Sequence, residues 1–570
     1  MTALDYLVLI GTMVGIAVYG VWKTRGRRSL ADYLKGDKAT GWGTIGLSVM
    51  ATQASAITFL STPGQAYEKG VGFVQIYFGL PLALVIISVV FLPIYRRLNV
   101  FTAYEYLGKR FDAKTRVLGA VLFLLQRGLA AGITIYAPAI VLAKVLNWPL
   151  NLTIVGSGVL VILYTASGGN DAVNLTQKWQ MGVIFVGMIA AFVVLMLRMP
   201  EGLGLGDMLS VAGTMGKLEA VDFSFDPNNR YTLWSGILGG LFLSLSYFGT
   251  DQSQVQRYLS GGSLRQSRLG LMFNAVMKIP MQFFILLLGA LVFVLFQFDR
   301  PPLFFNEPVW QAEVQGEHGA ELRRLEQEFN AVHAEKEARV RAWLEAKASG
   351  DGALEAAARA EMLASHERSQ QIRQRAIEII KTGPTRAKSS DADYVFITFI
   401  LNYLPHGLIG LLIAVIFAAG LSSTSSELSA LGSTTTVDLY RHLFRKNADE
   451  RHYVRASRGF TVLWGAVALG FALVVRLVEN LIEAVNILGS LFYGVVLGIF
   501  LLAFFFKRVG GTAVFFGALI AEVLVIVGYF TIPLGFLWYN PVGCFLCIAI
   551  SLLIEIVFRP GNSSREAARA

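Results

Sequence analysis

Charge is scarce in this chain. Asp, Glu, Lys and Arg together make up 15% of its 570 residues, where a soluble domain carries about a quarter. A body that meets water on all sides is thereby excluded. There are only two cysteines, Cys544 and Cys547, so no disulfide framework is available. Their CxxC lies inside an apolar run with no other ligand-type side chain around it, which reads as packing rather than redox or metal work. Catalytic signatures are also missing: no HExxH, no phosphate loop and no Ser/His/Asp set. His333 and His366 fall in a charged stretch, and His406 has no matching ligands beside it. A membrane enzyme is therefore not the expectation.

What the chain has instead is oil. It is 54% hydrophobic, and apolar runs of about 20 residues recur, each able to cross roughly 30 Å of hydrocarbon. Thirteen lie near 3–22, 43–63, 71–95, 117–147, 152–168, 174–197, 231–256, 269–298, 397–436, 457–478, 483–506, 511–532 and 536–558. The expected fold is an all-α polytopic membrane protein of about 13 helices. The first run follows Asp5 with no basic leader and no small-residue cleavage site, so it is read as a span. The net charge of +10 is unevenly spread. Six Lys or Arg fall in each of 23–38, 96–116 and 441–458, whereas the opposite short loops hold only Lys69, Arg198, Lys217 and Arg230. Basic loops face the cytoplasm, which predicts an inner (plasma) membrane protein with its N-terminus outside and its C-terminus inside. The positive charge is thus topology and predicts no nucleic-acid partner.

Two segments read as helices interrupted at mid-membrane. Residues 43–64 mix small and polar residues and end in Pro63-Gly64; residues 231–252 carry Gly239-Gly240 and Gly249. Each opens a group of five helices, and five being odd, the groups enter from opposite faces. That is the pattern of a 5+5 inverted repeat with a site at the midplane. The domains expected are an extra helix and loop (1–42), the first repeat (43–198), an outer loop (199–230), the second repeat (231–300 and 396–506) and two extra helices with a short tail (507–570). Residues 301–395 insert a charged, Ala/Glu/Arg/Leu-rich helical hairpin on the outer face. It either caps the entrance or meets a partner.

Residues 422–436 hold ten Ser or Thr side chains in fifteen positions, directly after a fully apolar half-helix. Two or three such residues bond back to their own helix; ten exceed that need. Ser422, Ser425, Ser426, Ser429 and Ser433 share one face. Uncharged oxygens suit a weakly held monovalent cation, and carbonyls freed at a broken helix can complete its shell. Close helix packing is the competing explanation.

The segments "LSVMATQASAITFLSTPGQAYEKG", "FLPIYRRLNVFTAYEYLGKRF", "LQRGLAAGITIYAPAIVLAKV", "SYFGTDQSQVQRYLS" and "FAAGLSSTSSELSALGSTTTVDLYR", in this order, resemble the sodium:solute symporter family. The likeness is nearest the iodide, vitamin and monocarboxylate branches and the bacterial sialic acid transporters. It implies the five-plus-five (LeuT-like) fold with broken first and sixth core helices, alternating access, and Na+ as coupling ion. It maps the sodium ligands onto the carbonyls of Ala51, Ala54 and Ala419 and the hydroxyls of Ser422 and Ser423. Some relatives hold a second sodium with further serines and an aspartate. Ser425 and Ser426 are present here, but Gln177 stands where that aspartate would, which argues against a second ion.

The resemblance also implies solute-facing roles for Ser55 and Thr58, and an inner-gate aromatic at Tyr247, with Phe248 next to it. Gln75 and Tyr77 are further candidates for the solute site. Lys178 is a candidate gate counter-charge and Asp251 a charge-paired gate. Arg127, a guanidinium near the middle of a span, usually faces a cavity or partner. It can clamp a carboxylate bidentately, pair with Asp251 or snorkel to the interface. The arginine of the sialic acid branch falls on Ala130 instead. The expected function is sodium-coupled import of a small organic solute, an acidic sugar or monocarboxylate favoured. A neutral sugar or polyol is the alternative, and a non-transporting nutrient sensor a more distant one.

Overall fold

A computed structural model describes residues 1–24, 41–98, 100–383, 390–474 and 480–558. The expected basic-loop residues 25–40 and the C-terminal residues 559–570 lie outside them. Among the described residues the fold is all-helical. Nine helices are long and apolar enough to cross a membrane, and one bent pair brings the number to ten.

The chain opens with α1 (Ala3–Thr24). Its Asp5 carboxylate accepts from the Gly407 N–H at 2.6 Å and sits 3.1 Å from His406 Nδ1, which ties α1 to the start of a much later helix. The bent pair follows as α2 (Trp42–Gln53) and α3 (Ala56–Lys69), 59° apart. Next come α4 (Val71–Arg97), the short α5 (Ala103–Arg110) and α6 (Ala113–Leu146). The expected runs 152–168 and 174–197 both fall within the helical stretch α7 (Leu150–Arg198), whose apolar parts are Leu150–Leu163 and Trp179–Arg198.

After α8 (Leu205–Thr214) the second broken helix runs as α9 (Ser235–Gly249) and α10 (Gln252–Leu259). Asp251 caps α10 by accepting from Ser253 N–H at 2.9 Å, and a capped start is what lets a new helix begin inside the protein. α11 (Leu264–Phe298) leads to the insertion, α12 (Glu307–Val314), α13 (Gly319–Ser349) and α14 (Gly352–Thr382). The hairpin is docked rather than freely solvated. Arg373 bonds Asp391 at 2.6 Å and the Leu303 carbonyl at 3.0 Å, and His333 bonds the Phe296 carbonyl at 3.1 Å.

α15 (Val395–Tyr403) precedes α16 (Leu408–Phe444), the most enclosed of the described spans. Then follow α17 (Glu450–Val474), α18 (Leu481–Phe505), α19 (Gly511–Thr531) and α20 (Phe536–Phe558). Cys544 and Cys547 are buried and unbridged. A Cβ on Gly498 of α18 would come within 2.8 Å of Cys547 Cβ, so the cysteines fill a close helix crossing. Large apolar side chains such as Leu197, Phe530 and Ile556 stand fully outward, the lipid-facing pattern of a bundle solvated by hydrocarbon.

Candidate functional site

The site is built where the first broken helix meets α16. At the break the Ala54 N–H donates to Met50 O at 2.7 Å and the Thr58 N–H to Ser55 O at 3.0 Å. The carbonyl of Ala54 thus loses the N–H that a continuous helix would supply four residues on. That of Ala51 receives no Ser55 N–H among the described residues. Ser55 caps α3, its Oγ accepting from Ile57 N–H at 3.3 Å.

α16 brings its hydroxyl run to this break. Gly420 makes the approach feasible: a Cβ there would meet Pro138 at 2.9 Å and Ala56 at 3.2 Å. Much of the run is spent within its own helix. Thr424 bonds Gly420 O, Ser426 bonds Ser422 O, Thr435 bonds Leu431 O and Thr436 bonds Gly432 O, all at 2.7–2.9 Å. Ser423 differs, since its hydroxyl leaves the helix and donates to Thr52 O at 3.3 Å. Ser422 lies 3.4 Å from Ala419 O. Ala51, Ala54, Ala419, Ser422 and Ser423 are all buried.

Gln177 of α7 occupies the neighbouring space. Its Nε2 donates to Thr52 Oγ1 at 3.3 Å and Ser426 Oγ at 3.2 Å, while its Oε1 accepts from Ser48 at 2.6 Å. Ser425 Oγ is buried without a partner. The side chain of Lys178 lies outside the described residues.

A cavity of about 80 Å³ adjoins the break. Ser55, Thr58, Tyr77, Arg127 and Tyr247 line it, with Gln53, Ser423, Glu427, Asn486 and Tyr493. Gln75 does not. Its amide donates to Gly72 O and Tyr231 O, and its Oε1 accepts from Asp222 N–H at 3.0 Å. The outer loop folds back and captures it. Phe248 stands behind the cavity wall, fully buried against Tyr247 at 4.9 Å between ring centroids.

Arg127 does not point a free guanidinium into this space. Its Nε donates to Asp251 Oδ2 at 3.0 Å and its Nη1 to Glu427 Oε1 at 3.0 Å. Nη2 reaches Asp251 as well, and the Tyr493 hydroxyl at 2.6 Å. The Tyr247 ring covers it at 5.3 Å. The cluster joins α6, the second break, α16 and α18, and Arg127 is 2% exposed.

Sequence reasoning noted Glu427 inside the hydroxyl run, off the counted stripe, and left it either paired or protonated; a carboxylate amid membrane alcohols is itself a signal. Two further groups were missed. Tyr493 had no distinguishing pattern. On α11, Asn274, Lys278 and Gln282 repeat every four residues and are all buried. Lys278 Nζ has no hydrogen-bond partner and lies 5.3 Å from the Tyr77 ring centre.

Comparison with known proteins identifies the family. The model of the sodium:solute symporter family matches residues 33–308 and 376–521. The sodium-coupled monocarboxylate transporter 1 of Xenopus laevis is 27% identical, covering 91% of this chain and 70% of its own. The human sodium/iodide cotransporter is 32% identical, covering 47% of this chain and 41% of its own. A solved sodium-coupled sialic acid symporter, in a substrate-bound outward-open state, superposes with a TM-score of 0.74 at 22% identity, covering 98% of this chain and 99% of its own. The chain belongs to the sodium:solute symporter family: it is a multi-pass membrane transporter, not an enzyme, and couples solute import to sodium.

Proposed function

We propose that the coupling sodium is held by the carbonyls of Ala51, Ala54 and Ala419 and the hydroxyls of Ser422 and Ser423, next to a solute cavity. The observation that carries this is the Ser423–Thr52 contact at 3.3 Å, which seats the hydroxyl helix on the carbonyls of the break. Uncharged oxygens hold a monovalent ion weakly enough to release it. Gln177 contributes amide N–H groups where a second ion would need a negative charge, so one sodium per cycle is the reading. Purified chain in liposomes tests the scheme: labelled probes should accumulate under an inward sodium gradient and not when potassium replaces sodium.

The solute proposed is a small organic acid or acidic sugar, supported by the likeness to monocarboxylate and sialic acid carriers. A neutral sugar or polyol is the second reading. Arg127's engagement by two carboxylates favours it. Tyr247 and the Arg127–Asp251 pair serve as the inner gate.

The topology proposed has thirteen passes. The nine long spans and the bent pair are joined by the shorter apolar helices Ala3–Thr12, Leu150–Leu163 and Ser235–Gly249. Two passes within α7 are supported by its ends. Lys144, just before it, donates to Phe305 O at 3.5 Å, and Arg198 donates to Tyr403 O at 3.2 Å. Both reach the hairpin side. Breaks at Ala54–Ser55 and Thr250–Asp251, each in the opening helix of a five-helix group, support the inverted repeat. The N-terminus and the hairpin then face outward in the plasma membrane, the hairpin capping the entrance.

A further inference from the structure

Glu427 has no role in the sodium nest, yet it is the group that most constrains what enters the cavity. One of its carboxyl oxygens is used by Arg127 Nη1. The other, Oε2, is buried with no hydrogen-bond partner, and so is Gln53 Oε1. Both residues line the cavity. A buried acceptor left unpaired is costly, and more so when charged.

Several donors nearby are engaged elsewhere: Thr134, beside Glu427, donates to Ala130 O at 3.1 Å, Asn486 Nδ2 to Ile482 O at 2.7 Å, and Ser423 to Thr52 O. Arg127 makes four bonds to Asp251, Glu427 and Tyr493. One guanidinium already serves two carboxylates, so it has no charge to spare for a third, and a buried carboxyl oxygen without a partner favours a donor.

We infer that Glu427 is a solute-recognition residue, and that the transported solute presents a hydroxyl or ammonium hydrogen to its free oxygen. The inference rests on reading this cavity as the solute site. A solute whose only polar group is a carboxylate does not satisfy the wall; an acidic sugar does, provided its hydroxyls and not its carboxylate meet Glu427. Glu427 therefore sets specificity, while Arg127 positions it.

The test is thermal stabilisation of the purified full chain in sodium, using propionate (carboxylate only), glucose (hydroxyls), proline (ammonium and carboxylate) and N-acetylneuraminate (hydroxyls and carboxylate) as probes. At least one probe bearing hydroxyl or ammonium groups should stabilise the chain, and propionate should not. Glu427→Gln, which keeps the shape and removes the charge, should weaken the effective probe at least tenfold. Glu427→Asp, which keeps the charge, serves if the first variant fails to fold and should weaken it too. Stabilisation by propionate alone, no response to any donor-bearing probe, or variants that respond like the parent would overturn the inference. The shift caused by sodium over potassium without any probe is read separately. Its absence would defeat the sodium site and leave Glu427's role standing.

Discussion

The Ser423 hydroxyl donates across 3.3 Å to the carbonyl of Thr52, joining α16 to the end of α2 at the point where the first broken helix stops. Ser422 and Ala419 lie in the turns beside it on α16, and Ala51 and Ala54 stand on either side of Thr52 in the first broken helix. Removing both hydroxyls, as Ser422→Ala with Ser423→Ala, deletes two of the proposed neutral ligands, worth about 1 kcal/mol each. The sodium concentration for half-maximal uptake should rise roughly tenfold or more, with the unfolding midpoint in potassium unchanged. A sodium titration of uptake checks it, and an unshifted curve would count against the nest.

Gln177 links Ser48 and Thr52 of α2 to Ser426 of α16 through an uncharged amide. Among the described residues these partners bring no negative charge to offset a second ion's dehydration. The sodium dependence of initial uptake should therefore follow a Hill slope near one. A slope approaching two would require a second bound ion.

Arg127 is sealed between Asp251 and Glu427, and deleting one member of a buried charge cluster leaves the others uncompensated. Arg127→Gln should destabilise the folded chain by about 3–5 kcal/mol. Adding Glu427→Gln removes one orphaned carboxylate and should restore part of that loss, as coupled neighbours do. Thermal unfolding of the single and double variants in detergent measures both; strictly additive losses would contradict the cluster.

Burial, with Lys336 and Lys217 adjoining, pushes the His366 imidazole down to about 3 in the docked hairpin, and burial also lowers His333. Released, His366 returns to its ordinary 6.5. Between these values the undocked form binds the extra proton, so docking is fully favourable above about 6.5 and weakens as pH falls towards 3. The slope is up to about 1.4 kcal/mol per pH unit. The protection factors of the α14 amides, corrected for the intrinsic pH dependence of exchange, should fall between pH 7 and pH 5, and less so in His366→Phe. An equal fall in that variant would place the sensitivity elsewhere.

The membrane class was legible because lipid imposes long uniform runs, and the first break because small and polar residues interrupt one of them. The place where α16 meets that break was indicated by the alcohol-rich run together with the family resemblance, which put Ser423 there. Gln75 misled because a loop 150 residues on folds back to take its amide, a long-range event no local pattern records. Arg127 admitted several partners, and its pairing with Asp251 was among them. Glu427 was noticed but left without a named partner, because counting by threes and fours follows one helix face, while a long carboxylate reaches round to another.

Binding of radioactive sodium to the purified chain at equilibrium, parent beside the Ser422→Ala/Ser423→Ala variant, addresses the nest itself, free of any choice of solute. One saturable site per chain that is lost or strongly weakened in the variant is the result predicted. No saturable binding, or a site of the same affinity in both proteins, would contradict it.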